Sequence, residues 1–268
     1  MREFLEAVAN EIEDAEVRVI NKNGIDKECI SVKLNDNVAA TIYYEMISGL
    51  TVSEAVEKIN AITEQESGKV NRISAVADFF TNYENVKKNL RARLYRENVP
   101  AEVKRSAKGY GFDDLIIVPY CNVEMGEESG SIKILKAHLE QWGVSEDEVI
   151  DQAIANMEEI TKMQGLFSFV ARQMGMDADD MGDRSEEPMI VSTDDTSFGA
   201  GGILTKIDYF KERFTNGFYV LPSSLHEVLV VPAIEGQDVE SLTEMVQAVN
   251  ATEVAPEEVL SSKAYAFI

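Results

Sequence analysis

The segment LPSSLHEVLVVP, residues 221–232, contains residue types that could perform nucleophilic or metal chemistry. Ser223 and Ser224 precede His226, one of only two histidines in the chain, and Glu227 follows it. A serine beside a histidine base is typical of hydrolases and transferases. A His-Glu pair also opens the zinc-peptidase motif HExxH. The segment therefore has residue types that both kinds of chemistry use.

Each of these motifs lacks a required member here. HExxH needs a second histidine where Val230 stands, on a helix, whereas the run Val228–Val231 favours a strand. The hydrolase elbow GxSxG needs glycines around the nucleophile, but these serines follow Pro222. We interpret the segment as a turn that leads into a core strand. The alternative is a hydrolase or transferase whose site around Ser223–Glu227 would also use Asp194.

A second candidate is the glycine-containing stretch STDDTSFGAGGIL, residues 192–204. Gly199, Gly201 and Gly202 precede a predicted helix, and backbone N–H groups at a helix N-terminus can contact an anion. The dinucleotide motif GxGxxG would require glycine where Leu204 stands, and a GK[ST] sequence is missing. We therefore interpret the stretch as a flexible turn and helix start, and a weak anion contact at these glycines is the alternative.

The acidic stretch DADDMGDRSEEP, residues 177–188, has the composition of a calcium-binding loop. Its fifth position, however, is Met181 and its twelfth is Pro188, where such a loop needs an oxygen ligand and a bidentate glutamate. Cys29 and Cys121 are too far apart in sequence to form a CxxC pair. We therefore expect no metal site and no cofactor.

Length and composition predict one folded α+β unit, residues 1–268. With 45% hydrophobic residues the chain can bury a sizeable core. Hairpin-like strand pairs and single helices follow each other irregularly, which favours a mainly antiparallel central sheet flanked by helices. Residues 67–112 hold 10 basic and 4 acidic residues, whereas residues 113–197 hold 5 and 20. This change would allow an N-terminal subdomain, 1–112, and a C-terminal subdomain, 113–268.

Some local elements follow from turn and capping patterns. Asn23-Gly24 predicts a hairpin turn, and TVSE at 51–54 and SEDE at 145–148 have the spacing of helix capping boxes. The basic stretch NYENVKKNLRARLYREN, residues 82–98, is interpreted as a solvated helix whose cations face acidic parts of the protein. An anion or nucleic-acid contact is the alternative for this stretch.

The net charge is −23, from 48 acidic and 25 basic residues. Such a field repels phosphate backbones and anionic lipid head groups, so we expect neither direct nucleic-acid binding nor membrane association. The N-terminal helix lacks the apolar region of a signal peptide, and together with the cysteine usage this predicts a cytoplasmic protein. The acidic surface between Asp113 and Asp195 predicts a non-enzymatic binding protein that engages a basic protein partner.

Five segments together resemble a family of unknown function from gut Firmicutes, domain of unknown function 5688. They are NYENVKKNLRARLYREN, DDLIIVPYCNV, SIKILKAHLEQWGVSEDEVIDQAIANM, YVLPSSLHEVLVVP and LTEMVQAVNATEVAPEEVLS, and they follow in order along most of the chain. The resemblance implies a bacterial, cytoplasmic and often mobile-element-associated protein that forms one full-length unit. It implies no activity and no functional residues.

Overall fold

The computed structural model describes residues 1–35, 38–67, 79–125, 128–175, 186–194, 196–222 and 224–268. Its elements divide between two compact units, which are Met1–Asn82 with Glu124–Glu128, and Tyr83–Val123 with Ser129–Ile268. The division lies at Asn82, whereas the charge pattern would have allowed one at residue 112. Residues on both sides of position 112 pair in one sheet of the second unit.

The first unit consists of a three-stranded sheet and the helices that follow or precede it. Its helices are α1 (Arg2–Ala9), α2 (Tyr44–Ile47) and α3 (Val52–Ser67), and its strands are β1 (Ala15–Lys22), β2 (Ile25–Lys33) and β3 (Ala39–Tyr43). The sheet order is β1-β2-β3, and both strand pairs are antiparallel. Apolar side chains of α1, α3 and the sheet form the core of this unit, among them Leu5, Val8, Ile30, Ile42 and Ile59.

The predicted hairpin turn and the first capping box are confirmed. Asn23 and Gly24 adopt positive φ angles of 50° and 81° between β1 and β2, as a type I′ turn requires. At the start of α3 the Thr51 N–H donates to Glu54 Oε2 at 2.8 Å, and the Glu54 N–H donates to Thr51 Oγ1 at 3.3 Å. These reciprocal bonds satisfy two N–H groups that the helix itself leaves unpaired.

The remaining elements follow in chain order. The helices are α4 (Tyr83–Val86), α5 (Lys136–Trp142), α6 (Glu146–Ile160), α7 (Leu166–Gln173), α8 (Ile207–Arg213) and α9 (Val239–Thr252). One sheet contains β4 (Leu90–Arg96), β5 (Arg105–Ser106), β6 (Leu115–Met125) and β7 (Glu128–Lys133), in the order β4-β6-β5 with β7 also paired to β6. The other contains β8 (Thr161–Gly165), β9 (Met189–Thr193), β10 (Phe218–Leu221), β11 (Val228–Pro232) and β12 (Tyr265–Phe267), in the order β12-β10-β11-β9-β8.

The α+β prediction is confirmed, with helices packed beside antiparallel sheets. The strands lie in three sheets, whereas the sequence predicted one central sheet. The turn that leads into a core strand is also confirmed, because Leu221 ends β10 and Val228 begins β11. In the described part of the chain no helix is long and apolar enough to cross a membrane.

The predicted helix over the basic stretch 82–98 is wrong beyond its first turn. Only Tyr83–Val86 is α-helical, and Leu90–Arg96 forms strand β4, antiparallel to β6. The strand is buried on both faces, by Leu90, Ala92 and Leu94 on one and by Arg93 and Tyr95 on the other. Since Leu90 and Leu94 satisfy both a helical spacing and a two-residue alternation, the pattern alone could not separate the two structures.

Candidate functional site

The loop between β10 and β11 holds His226 through both of its ring nitrogens. Nδ1 accepts a hydrogen bond from the Phe198 N–H at 3.2 Å, and Nε2 lies 3.6 Å from Glu258 Oε1. Because Nδ1 is an acceptor, the neutral ring carries its proton on Nε2, which faces that carboxylate. The imidazole also lies against the Phe198 ring, with centroids 5.4 Å apart. His226 therefore connects chain segments that are distant in sequence.

The serine of this loop that the structure describes is bound to backbone. Ser224 Oγ accepts from the backbone N–H of His226 at 3.0 Å, so the hydroxyl stabilises the turn. On the neighbouring strand, Ser192 Oγ donates to the carbonyl oxygen of His226 at 2.9 Å. Ser223 lies outside the described residues. The hydrogen bonds of Ser224 and Ser192 thus go to backbone atoms of the loop and not to the imidazole.

The two carboxylates of the predicted site have other surroundings. Glu227 is exposed to solvent, and Asp194 pairs with Lys162 at 3.0 Å.

Of the acidic stretch 177–188, residues 177–185 lie outside the described residues. Glu187 is buried, and its Oε1 accepts from the Ser168 N–H at 2.7 Å. That carboxylate therefore caps the start of α7.

Gly199, Gly201 and Gly202 lie in a buried 3₁₀ segment, Gly199–Thr205. A Cβ atom on Gly201 would overlap the carbonyl oxygen of Ala92 in β4, and one on Gly199 would lie 2.6 Å from the carbonyl oxygen of His226. These glycines allow the segment to approach other backbone closely. In the structure they serve packing, and the predicted anion contact gains no support there.

The 3₁₀ segment places an aromatic ring over a buried cation. Phe198, which precedes the segment, has a left-handed backbone with φ of 54°, and its ring lies 3.8 Å from the guanidinium carbon of Arg93. The Tyr120 ring lies 4.1 Å from the same carbon. Arg93 is only 8% exposed. Arg93, Tyr120 and Phe198 therefore form a cation–π stack, which we call the arginine stack.

The arginine stack continues into neighbouring polar groups. Tyr95 Oη and Tyr120 Oη are 3.4 Å apart, and Lys133 Nζ lies 5.8 Å from the Tyr120 ring centroid. Burial raises the pKa of the Tyr120 phenol, so that it stays protonated. Burial and the charge of Arg93 together lower the pKa of Lys133. The stack is thus a locally cationic, protonated environment inside a strongly acidic protein.

The second unit has two clefts that differ in whether the arginine stack lines them. The larger has a volume of about 420 Å³ and is lined by Tyr110, Thr205, Asp208, Lys211 and Phe267 among others. None of the site residues predicted from sequence lines it. The smaller cleft is lined by Arg93 and Phe198 and also by Arg91, Asn122, Thr193 and Ser197. It leaves about 10 Å³ for the centre of a water molecule, which is room for about one water.

Helix α6 carries a concentrated acidic surface. Its apolar face is buried, and its fifteen residues include no cation and six carboxylates, which are Glu146, Asp147, Glu148, Asp151, Glu158 and Glu159. Arg105 pairs with Asp147 at 2.9 Å and with Asp151 at 2.6 Å, and Lys206 pairs with Glu158. Within the described ranges, two cations therefore offset part of these six negative charges.

Sequence reasoning missed the arginine stack. The sequence pattern predicts a solvated helix at Arg93 and assigns no role to Phe198, which lies between the aspartates and the glycines. A signal did exist in LRARLYR, because the alternation of Leu90, Ala92 and Leu94 places Arg93 on the opposite face of a strand. The contact with Phe198 could not be found this way, since it depends on tertiary packing.

A family model described as a family of unknown function, DUF5688, matches residues 1–268. The chain belongs to this family. No curated protein and no solved structure matched the chain. Membership in DUF5688 confirms the resemblance and assigns no role to any residue.

Proposed function

We propose that the chain is a non-enzymatic binding protein that engages a basic protein partner through the acidic face of α6. The observation that carries this proposal is the excess of carboxylates on that helix. The helix has six carboxylates. In the described part of the chain, Arg105 and Lys206 are the cations that form ion pairs with them. Glu148 and Glu159 are exposed on the solvent side and available to a cationic partner.

Charge complementarity is the physical basis of such recognition. A chain of net charge −23 attracts basic surfaces and repels acidic ones before contact is made. Opposite charges across an interface raise the association rate and fix the orientation of the partner. These contributions fall as salt increases, because the Debye length shortens to about 8 Å at physiological ionic strength.

The surroundings of His226 favour binding over catalysis. The imidazole holds the Phe198 backbone and faces Glu258, and Ser224 holds the loop backbone. A general base needs a nitrogen free to take a proton from the nucleophile. The alternative, a hydrolase or transferase around Ser223–Glu227 with Asp194, gains no contact in its favour from the described residues and stays a prediction.

A narrower form of the proposal is mimicry of nucleic acid. A dense array of carboxylates resembles the charge of a phosphate backbone, to which basic proteins bind. In a bacterial cytoplasm, with the mobile-element association that the family resemblance implies, the partner would be a basic defence or regulatory protein of the host.

The proposal is tested by capture at increasing salt. The immobilised chain is incubated with a lysate of the source organism at low salt and then washed in steps to high salt. We expect the retained proteins to be basic and to be released as the salt concentration rises. Retention of the same partners from low to high salt would contradict a charge-based function.

A further inference from the structure

Helix α7 carries large apolar side chains that the fold leaves in solvent. Phe167, Phe169, Val170 and Met174, which directly follows the helix, are between 37% and 69% exposed. The buried side of the helix is marked by Ala171. Phe167, Val170 and Met174 are spaced i, i+3 and i+7, so they form one stripe along the helix. We call this stripe, together with Phe169, the apolar face of α7.

Hydrogen bonds hold the start of α7 in the second unit. The Leu166 N–H donates to the Pro188 carbonyl oxygen at 2.8 Å, and the Ser168 N–H donates to Glu187 Oε1 at 2.7 Å. A Cβ atom on Gly165 would overlap that carboxylate. The helix is therefore anchored to the residues that end the acidic stretch 177–188.

Negative charge lies close to the apolar face. The acidic stretch 177–188 holds six acidic residues and one basic residue, a net charge of −5. Asp177 follows Met174 by three positions, so their Cα atoms are within about 11 Å of each other. The cation of the helix, Arg172, is two positions from Val170 and so lies on another side of the helix. Carboxylates thus border the exposed apolar side chains.

The acidic end of α6 is also near. Glu158 and Glu159 lie in its last turn, and strand β8 connects Ile160 to Leu166. Six residues span at most about 20 Å, which is the length of about 14 residues of a helix. One segment of a partner could therefore contact both α6 and the apolar face of α7.

Charge decides which occupant the apolar face can take. A second copy of the chain would bring the same acidic stretch and another net charge of −23, and like charges across an interface repel. An anionic membrane surface is disfavoured for the same reason. A basic segment that also carries apolar side chains matches both the carboxylates and the exposed rings.

We propose that the apolar face of α7 binds an amphipathic segment of the basic partner, with apolar side chains on one side and lysine or arginine on the others. This inference rests on the proposed function and narrows the class of partner. Each exposed ion pair contributes little to affinity, whereas burial of apolar side chains contributes more. The acidic surface therefore attracts basic proteins, and the apolar face selects among them.

Two peptides of equal charge test the proposal. One consists of lysine and leucine, with leucine at helical positions i, i+3, i+4 and i+7, and the other has alanine at every leucine position. Their affinities for the wild-type chain are measured by calorimetry at low salt. We expect the leucine peptide to bind about tenfold more tightly, which corresponds to the burial of a few methylene groups.

Matched variants assign this preference to α7. Val170→Thr with Met174→Gln makes the face more polar at constant charge and should reduce the preference to about twofold or less. The affinity for the alanine peptide should stay unchanged. Met245→Gln with Val249→Thr alters the same residue types at the same spacing on α9, where both are exposed, and should keep the preference. Unchanged thermal unfolding midpoints show that both variants are folded.

The two proposals fail in different ways. If neither peptide binds at low salt, both proposals are contradicted. If the alanine peptide binds as tightly as the leucine peptide, or if the two double variants lose the preference equally or not at all, only the inference on α7 is overturned. A wild-type dimer that the α7 variant converts to a monomer in sedimentation would show that a second copy occupies the face, and would also overturn it.

Discussion

At the residue scale, His226 acts as a connector between the β10–β11 loop and the segment that carries Phe198. Its Nδ1 is the acceptor for the Phe198 N–H, and that amide belongs to a residue with a left-handed backbone. The position of the aromatic ring over Arg93 therefore depends on one imidazole nitrogen. A side chain without an acceptor there would leave a partly buried amide unpaired.

His226→Leu should lower the free energy of unfolding by about 1–3 kcal/mol, because a donor loses its partner away from water. His226→Asn should lose less, since Asn Oδ1 can occupy the place of Nδ1 and accept from the same amide. Urea unfolding of both variants measures the difference. Equal stability of the leucine and asparagine variants would contradict the assigned role of Nδ1.

Buried thiols give a second prediction at the residue scale, on alkaline stability. Burial raises the pKa of the Cys121 thiol to about 12 and also raises that of Cys29. Above the ordinary thiol pKa of about 8.5, the unfolded chain loses these protons and the folded chain keeps them. Stability should therefore be complete below that pH and fall as pH rises, by up to about 1.4 kcal/mol per pH unit for each thiol.

The measurement is the free energy of unfolding between about pH 8 and 9, below the range in which tyrosines titrate. Cys121→Ala removes one buried thiol and should make the decline shallower, whatever its effect at neutral pH. A decline of unchanged slope in that variant would show that Cys121 does not keep its proton in the folded state.

At the element scale, the segment Gly199–Thr205 packs so closely on β4 that it depends on glycine. Gly201→Ala would place a methyl group against the Ala92 carbonyl oxygen, and overpacking of this kind costs about 1–3 kcal/mol or more. Gly109→Ala is the matched control, because nothing lies within 4 Å of its added Cβ. Thermal unfolding should show a large loss for the first variant and little change for the second.

Equal effects of the two glycine variants would mean that the close approach to β4 does not constrain the fold. A large loss at Gly201 alone would confirm that these glycines are explained by packing.

Elements defined by local interactions could be predicted from the sequence. The Asn23-Gly24 turn and the Thr51 cap involve residues at most three positions apart, so their types determine the geometry. Strand β4 could not be predicted, because its apolar spacing also fits a helix and its pairing with β6 decides the outcome. The arginine stack was missed for the same reason, since it joins β4, β6 and the 3₁₀ segment.

At the scale of the whole molecule, two kinds of electrostatic surroundings coexist. The exterior is acidic, with a net charge of −23 and an excess of carboxylates on α6. The interior of the second unit contains a buried cation enclosed by aromatic rings. The exterior is the part that we propose recognises a basic macromolecule, and the buried cation is stabilised by the rings that cover it.

Two pairs of exposed carboxylates allow binding at α6 to be distinguished from a general effect of net charge. Glu148 and Glu159 lie on α6, whereas Glu240 and Glu244 are exposed carboxylates of α9. Replacing either pair with glutamine changes the net charge by the same amount. A partner that senses only total charge would respond equally to both replacements.

The most direct measurement is the affinity of a lysine-rich peptide for these two double variants, determined by calorimetry at low salt. The account predicts that Glu148→Gln with Glu159→Gln weakens binding by about three- to tenfold, the loss of two exposed ion pairs. It predicts a smaller change for Glu240→Gln with Glu244→Gln. Equal weakening by the two double variants, or none by either, would contradict an acidic binding face on α6.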